Sequence, residues 1–230
     1  MKVGFFRFEK GDRDFPFYKD NPKISQNGWF VLLGSVVISF LLYIIISNEL
    51  VSSIVFPLIM LIPLLFFLRG NIKLLFTKLS SNDFALVLVL FVGYMIYALV
   101  MGEFLSYIGL VGTEVGGENQ VSWFSTFTLI FSLMGEELLK LIPFLFLLKV
   151  FFNFTNKRRL SVLISMILVM VGFGLMHASD ISLIPSVIII QGFGSIFEFL
   201  AYFRSKNLLM SYLTHLITDV CIFILTMAGL

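Results

Sequence analysis

"SLMGEELLKLIPF", residues 132–144, sets two carboxylates and an ammonium among Leu, Ile and Phe. On a helix Glu136 and Lys140 are four apart and share a face, Glu137 and Lys140 are three apart and nearly share it, and the adjacent Glu136 and Glu137 diverge by about 100°. One carboxylate therefore faces a cavity while the other is held by Lys140. A soluble helix with one wet face does not explain the stretch, because the chain around it is oil. Of 230 residues 59% are hydrophobic and 13% charged, and the mean hydropathy is +1.01. That composition belongs in a bilayer.

Outward from this stretch, runs of about 20 apolar residues predict seven spans. They cover 28–47, 51–68, 84–101, 122–152, 160–177, 181–203 and 208–230. The fold class is all-α, a polytopic membrane helical bundle. Residues 1–27 form a charged, Phe-rich cytosolic or interfacial tail with no secretory signal, and 28–230 form the transmembrane domain. Pro57, Pro63, Pro143 and Pro185 fall inside spans, where kinks are expected. The loop 103–120 is glycine-rich and acidic, a lid or a plain connection.

Fifteen of the sixteen basic residues lie in the tail or after the second, fourth and sixth spans; the sixteenth is Lys140. The loops after the first, third and fifth spans hold none, which predicts an N-in, C-out topology. The net charge of +2 is then a cytosolic fringe facing anionic lipid. No phosphate loop, no alternation of aromatic and basic residues and no internal repeat is present, so lipid is an expected partner and nucleic acid is not. The lone Cys221 offers no disulfide framework and reads as a small core residue.

An ionisable side chain near the middle of a bilayer costs roughly 2.5–3.5 kcal/mol on insertion scales, so such residues pair, face a polar cavity or do chemistry. Seven qualify: Glu136, Glu137, Lys140, His177, Glu198, His215 and Asp219. Both histidines of the chain are among them. His215 shares a face with Asp219, and Phe173 with His177. Glu198 is expected to pair with Lys140. At about 1.5 Å per residue Glu136 lies some 20 Å from Lys149, well inside the hydrocarbon.

"EELLK" (136–140), "FGLMH" (173–177) and "HLITD" (215–219), in this order on three helices, resemble the motifs EExxxR, FxxxH and Hxxx(N/D) of the CPBP family of intramembrane endopeptidases. That family, also called Abi, includes CAAX prenyl endopeptidases and bacteriocin-processing or immunity proteins. The stretch "GFGSIFEFLAYFRSKNLLMSYLTHLITD" (192–219) is similar to the family's Gly-rich helix, basic turn and His helix. The resemblance covers a core of about 122–230. It departs at position 141, where the family's Arg is Leu141 and Lys140 stands one residue earlier. EExxK and HxxxD are also the first and third motifs of PrsW-type membrane proteases, but the second motif of that group, FxxxE, is not met because position 177 is His.

The resemblance implies hydrolysis of a peptide bond in a membrane-associated peptide or protein of a bacterial cytoplasmic membrane. A carboxylate in an apolar cavity is more basic than one in water and serves as general base for a water molecule. Glu136 is assigned as that base, with Glu137 orienting through Lys140. The resemblance implies that His177 helps activate the water and that His215 with Asp219 stabilises the oxyanion, Asp219 being protonated, orienting His215 or binding metal. Phe173, Lys140 and Glu198 support the site. No cofactor is favoured, since HExxH is missing; the alternative is zinc on His177, His215 and Glu136 or Asp219. The rival readings are a catalytically inactive Abi-type scaffold or immunity protein, in which the charges form only an ion-pair knot, and a proton-coupled transporter. An odd span count and the missing inverted repeat argue against the transporter.

Overall fold

In the computed structural model, which describes residues 5–10, 12–19, 21–110 and 121–229, polar residues between the apolar runs end one helix and cap the next. Ser25 accepts from the Gly28 amide to start α1 (Gln26–Ile45), and Asn48 accepts from the Val51 amide to start α2 (Glu49–Phe67). Capping boxes at Ser80/Asp83 and Ser122/Ser125 open α3 (Ser81–Tyr107) and α4 (Trp123–Thr155). Asn156 takes a left-handed conformation and turns the chain at once into α5 (Arg158–Met176). The described residues contain no strand.

The sixth crossing, Ile181–Ser205, is one helical run, as expected for 181–203, but its helix type changes along its length. A single 3₁₀ turn precedes α6 (Ile184–Val187), a π-helical segment covers Ile188–Phe193, and α7 (Ile196–Ser205) completes it. Pro185 sits in the first turn of α6, where a missing N–H costs nothing, so it starts a helix and kinks none. Pro57, Pro63 and Pro143 do lie within helices. Left-handed Lys206 and the cap Asn207 lead into α8 (Leu208–Met227). Among the described residues seven helical crossings are thus long and apolar enough to span a bilayer, and the protein is a multi-pass membrane protein. Of the loop expected at 103–120, α3 takes up residues to Tyr107, and 111–120 lie outside the described residues.

Close approach fixes the sixth crossing against α5. A Cβ on Gly174 would stand 2.8 Å from the Ile188 Cα, and one on Gly192 would stand 2.7 Å from the Met170 carbonyl oxygen. Only glycines allow backbone to lie on backbone there, as at small-residue interfaces in membranes. The π segment widens the helix at this contact and re-aims the residues after it, Glu198 among them.

Residues 5–10 and 12–19 do not trail into solvent. Phe15 and Phe17 are fully buried and Tyr18 nearly so. Phe15 meets Phe144 and Phe203 edge to face, each at 5.2 Å between centroids. Buried Glu9 accepts from Arg158 at 2.8 and 2.6 Å and from Lys206 at 2.5 Å. Lys10 reaches Asp83, and Arg204 donates to the Phe8 carbonyl. The N-terminal segment thereby ties the starts of α3 and α5 to the end of α7, and two residues counted as basic fringe, Arg158 and Lys206, are interior.

Candidate active site

The three motif helices meet in the bundle. Glu137 and Lys140 on α4, Glu198 on α7 and His215 on α8 are all buried. Lys140 Nζ lies 2.5 Å from Glu137 Oε1 and bonds Glu198 Oε2 as well. His215 Nδ1 is 2.9 Å from Glu137 Oε1, and Ser211, one turn earlier on α8, donates to Glu137 Oε2. Glu137 is thus fully engaged. It is the held carboxylate of the pair.

Glu136 is the free one. Its side chain is 23% exposed, with Oε2 3.9 Å from His215 Nε2. Asp219 Oδ2 lies 3.5 Å from that same nitrogen and Glu198 Oε1 3.8 Å. Since a carboxylate accepts, Nδ1 of His215 carries the proton given to Glu137, and Nε2 points at the gap between Glu136, Glu198 and Asp219.

Phe173 explains its place in the second motif by what it touches. Lys140 Nζ sits 4.5 Å from its ring centroid, the His177 ring meets it edge-on at 4.7 Å, and the His215 ring lies at 6.4 Å. His177 caps α5 and is exposed, farther out than the other motif residues. Its Nδ1 donates to the Phe173 carbonyl at 2.9 Å, which leaves Nε2 as an acceptor for a water hydrogen. Asp219 lies within electrostatic reach of both His177 and Glu136.

Sequence reasoning missed Ser211, although its spacing of four from His215 on one face was a signal. It also missed two tyrosines from the first three helices. Tyr43 on α1 stacks on Phe56 at 4.7 Å and lies within electrostatic reach of Glu136. Phe56 in turn lies flat on Gly135, where a Cβ would come within 2.2 Å of its ring. Tyr94 on α3 is within reach of Asp219 and Glu198. Nothing in their local sequence marked either.

The potential metal donors drawn together among the described residues are Glu137, Glu198 and His215, all within 4.8 Å of one another. They differ from the set expected for zinc, His177 and His215 with Glu136 or Asp219. The ammonium of Lys140 bonds both carboxylates of this trio, so a divalent cation would have to displace it. The donor set fits an internal cation better than a metal. A cavity with room for about one water is lined by Glu137, Lys140, Glu198, Tyr202 and Ser211.

The fold and cluster define a polytopic membrane protein with an intramembrane Glu–Lys–His–Asp centre. Residues 118–221, which carry all three motifs, are similar to the family model described as Type II CAAX prenyl endopeptidase Rce1-like. No curated protein and no solved structure matches the chain.

Proposed function

We propose that the protein hydrolyses a peptide bond in a membrane-associated peptide or protein with water activated by Glu136. The observation that carries this is the division of labour in the EE pair: Glu137 is saturated by Lys140, Ser211 and His215, while Glu136 is partly exposed and faces His215 Nε2. Glu136 takes a proton from water and the oxygen bonds to the scissile carbonyl carbon. His177 Nε2 accepts the second water hydrogen bond and so aligns the attack. The oxyanion accepts a hydrogen bond from His215 Nε2, the ring acting as an imidazolium that donates through Nδ1 to Glu137 and is flanked at Nε2 by Asp219. Collapse breaks the C–N bond, and the proton held by Glu136 passes to the leaving amine. No step requires a Ser or Cys nucleophile.

The membrane is read as a bacterial cytoplasmic membrane with the N-terminus inside, and the substrates as peptide precursors, bacteriocin leaders or pheromones. A second reading, an inactive scaffold or immunity protein, draws on the saturation of Lys140 by Glu137 and Glu198, a pattern that a purely structural knot would also have. Reconstituted protein incubated with a quenched-peptide library decides between them. Cleavage by the wild type that Glu136→Ala and His215→Ala abolish supports the peptidase; cleavage indifferent to both removes the assigned site; no cleavage by the wild type favours the scaffold.

A further inference from the structure

Among the described residues, the cluster around His215 is closed off at one end and progressively exposed towards the other. Towards the basic face it is stopped by Phe144, Tyr202, Phe203 and Phe15, none more than 2% exposed. Beneath this aromatic layer Lys206 Nζ sits 4.3 Å from the Phe15 ring centroid, and Glu9 binds both Lys206 and Arg158. The N-terminal segment is thus a stopper built into that end.

In the other direction burial falls away. Lys140 and Glu137 side chains are 3% and 2% exposed, His215 8%, Glu136 23% and Asp219 27%. His177 is exposed at the end of α5, and the exposed Ser179 and Asp180 follow it. Carboxylates facing lipid would be costly, so this gradient of polar groups marks an aqueous mouth. α5 starts at Arg158 and α8 follows Lys206, so both run from the basic face towards this mouth.

We infer that the chamber takes substrate from the face opposite the basic one, the extracytosolic face by the positive-inside rule. The substrate class is then a membrane-anchored or exported peptide whose scissile bond emerges at the outer surface, not a cytosolic C-terminal tail. The inference rests on the peptidase reading for the word substrate, and on geometry alone for the side of access.

Thiol labelling of the full chain in intact cells, on a Cys221→Ser background, tests it with a membrane-impermeant maleimide sulfonate. Glu136→Cys probes the chamber, Ser179→Cys the mouth, and Lys73→Cys the basic face; His177→Cys is a second chamber probe should Glu136→Cys fold poorly. The expected result is labelling of the chamber and mouth probes from outside, with Lys73→Cys reacting only after permeabilisation, because the reagent does not cross about 30 Å of hydrocarbon. Chamber probes that react no faster from outside than from the basic face, or from neither, overturn the inference. Labelling needs no hydrolysis. An inactive protein labelled from outside loses the peptidase reading and keeps the access route, and an active one labelled only from the basic face does the reverse.

Discussion

His215 Nδ1 lies 2.9 Å from Glu137 Oε1, and that bond sets which nitrogen the ring turns towards Glu136 and Asp219. The two adjacent glutamates consequently have different jobs, and substitutions should separate them. Glu136→Gln leaves the ion network intact, so the melting temperature should hold while kcat falls by about 10²–10⁴-fold, the usual contribution of a general base. Glu137→Gln removes one partner of a buried pair and should cost about 3–5 kcal/mol of stability. Thermal unfolding in detergent, read beside peptide cleavage, checks the split; equal melting losses in both variants would contradict it.

Lys140 bridges Glu137 and Glu198 across α4 and α7. Lys140→Met leaves two buried carboxylates facing each other and should destabilise strongly. Adding Glu198→Gln removes one of those charges, so the double variant should be more stable than the sum of the single losses predicts. Coupling of about 0.5–3 kcal/mol is expected from contacts of this kind. A double-mutant cycle on unfolding free energies measures it, and additive effects would mean the contact carries little.

How much of this was legible in the sequence depended on what each residue type has to do. Seven apolar runs are local signals, and α1, α2 and α4 begin at Gln26, Glu49 and Trp123, within two residues of the spans predicted from 28, 51 and 122. Charges in oil are also conspicuous, so Glu136, Glu137, Lys140, Glu198, His215 and Asp219 could be named, and the structure brings them together. His177 was named too, but it sits at the rim. What the sequence did not reveal was long-range. Phe15 and Glu9 look like an interfacial tail until α5 and the α7–α8 turn supply Arg158 and Lys206. Tyr43 is one tyrosine among seven until Phe56 and Gly135 place it near Glu136. The π segment arises from backbone packing at Gly174 and Gly192, which no residue period announces.

Glu9 should confer an acid-sensitive stability. Burial opposes its charge, but the hydrogen bonds from Arg158 and Lys206 outweigh this and hold the carboxyl below its ordinary value of 4.5. A group depressed on folding binds more protons when unfolded, so its stabilisation is complete above 4.5 and is lost as pH falls through the lower folded value. The wild type should therefore lose stability in that acid window, and Glu9→Gln should start lower and show a shallower acid loss. Unfolding midpoints of both proteins from neutral to acid pH give the comparison; parallel curves would remove Glu9 as the cause.

The position of Lys140 also bears on metal dependence. A divalent ion on Glu137, Glu198 and His215 would need three donors, two of which already bind an ammonium inside a space that holds about one water. Displacing that ammonium would leave it buried without its partners, a cost that metal coordination would have to exceed. Cleavage should accordingly survive prolonged chelation, and added zinc should neither raise the wild-type rate nor shift its melting temperature. Lys140→Met is the informative companion, because it vacates the site while keeping the donors. Zinc should raise the melting temperature of this variant and leave the wild type unmoved. Chelator-sensitive cleavage restored by zinc in the wild type would instead assign the carboxylates and His215 to a metal, with Lys140 displaced.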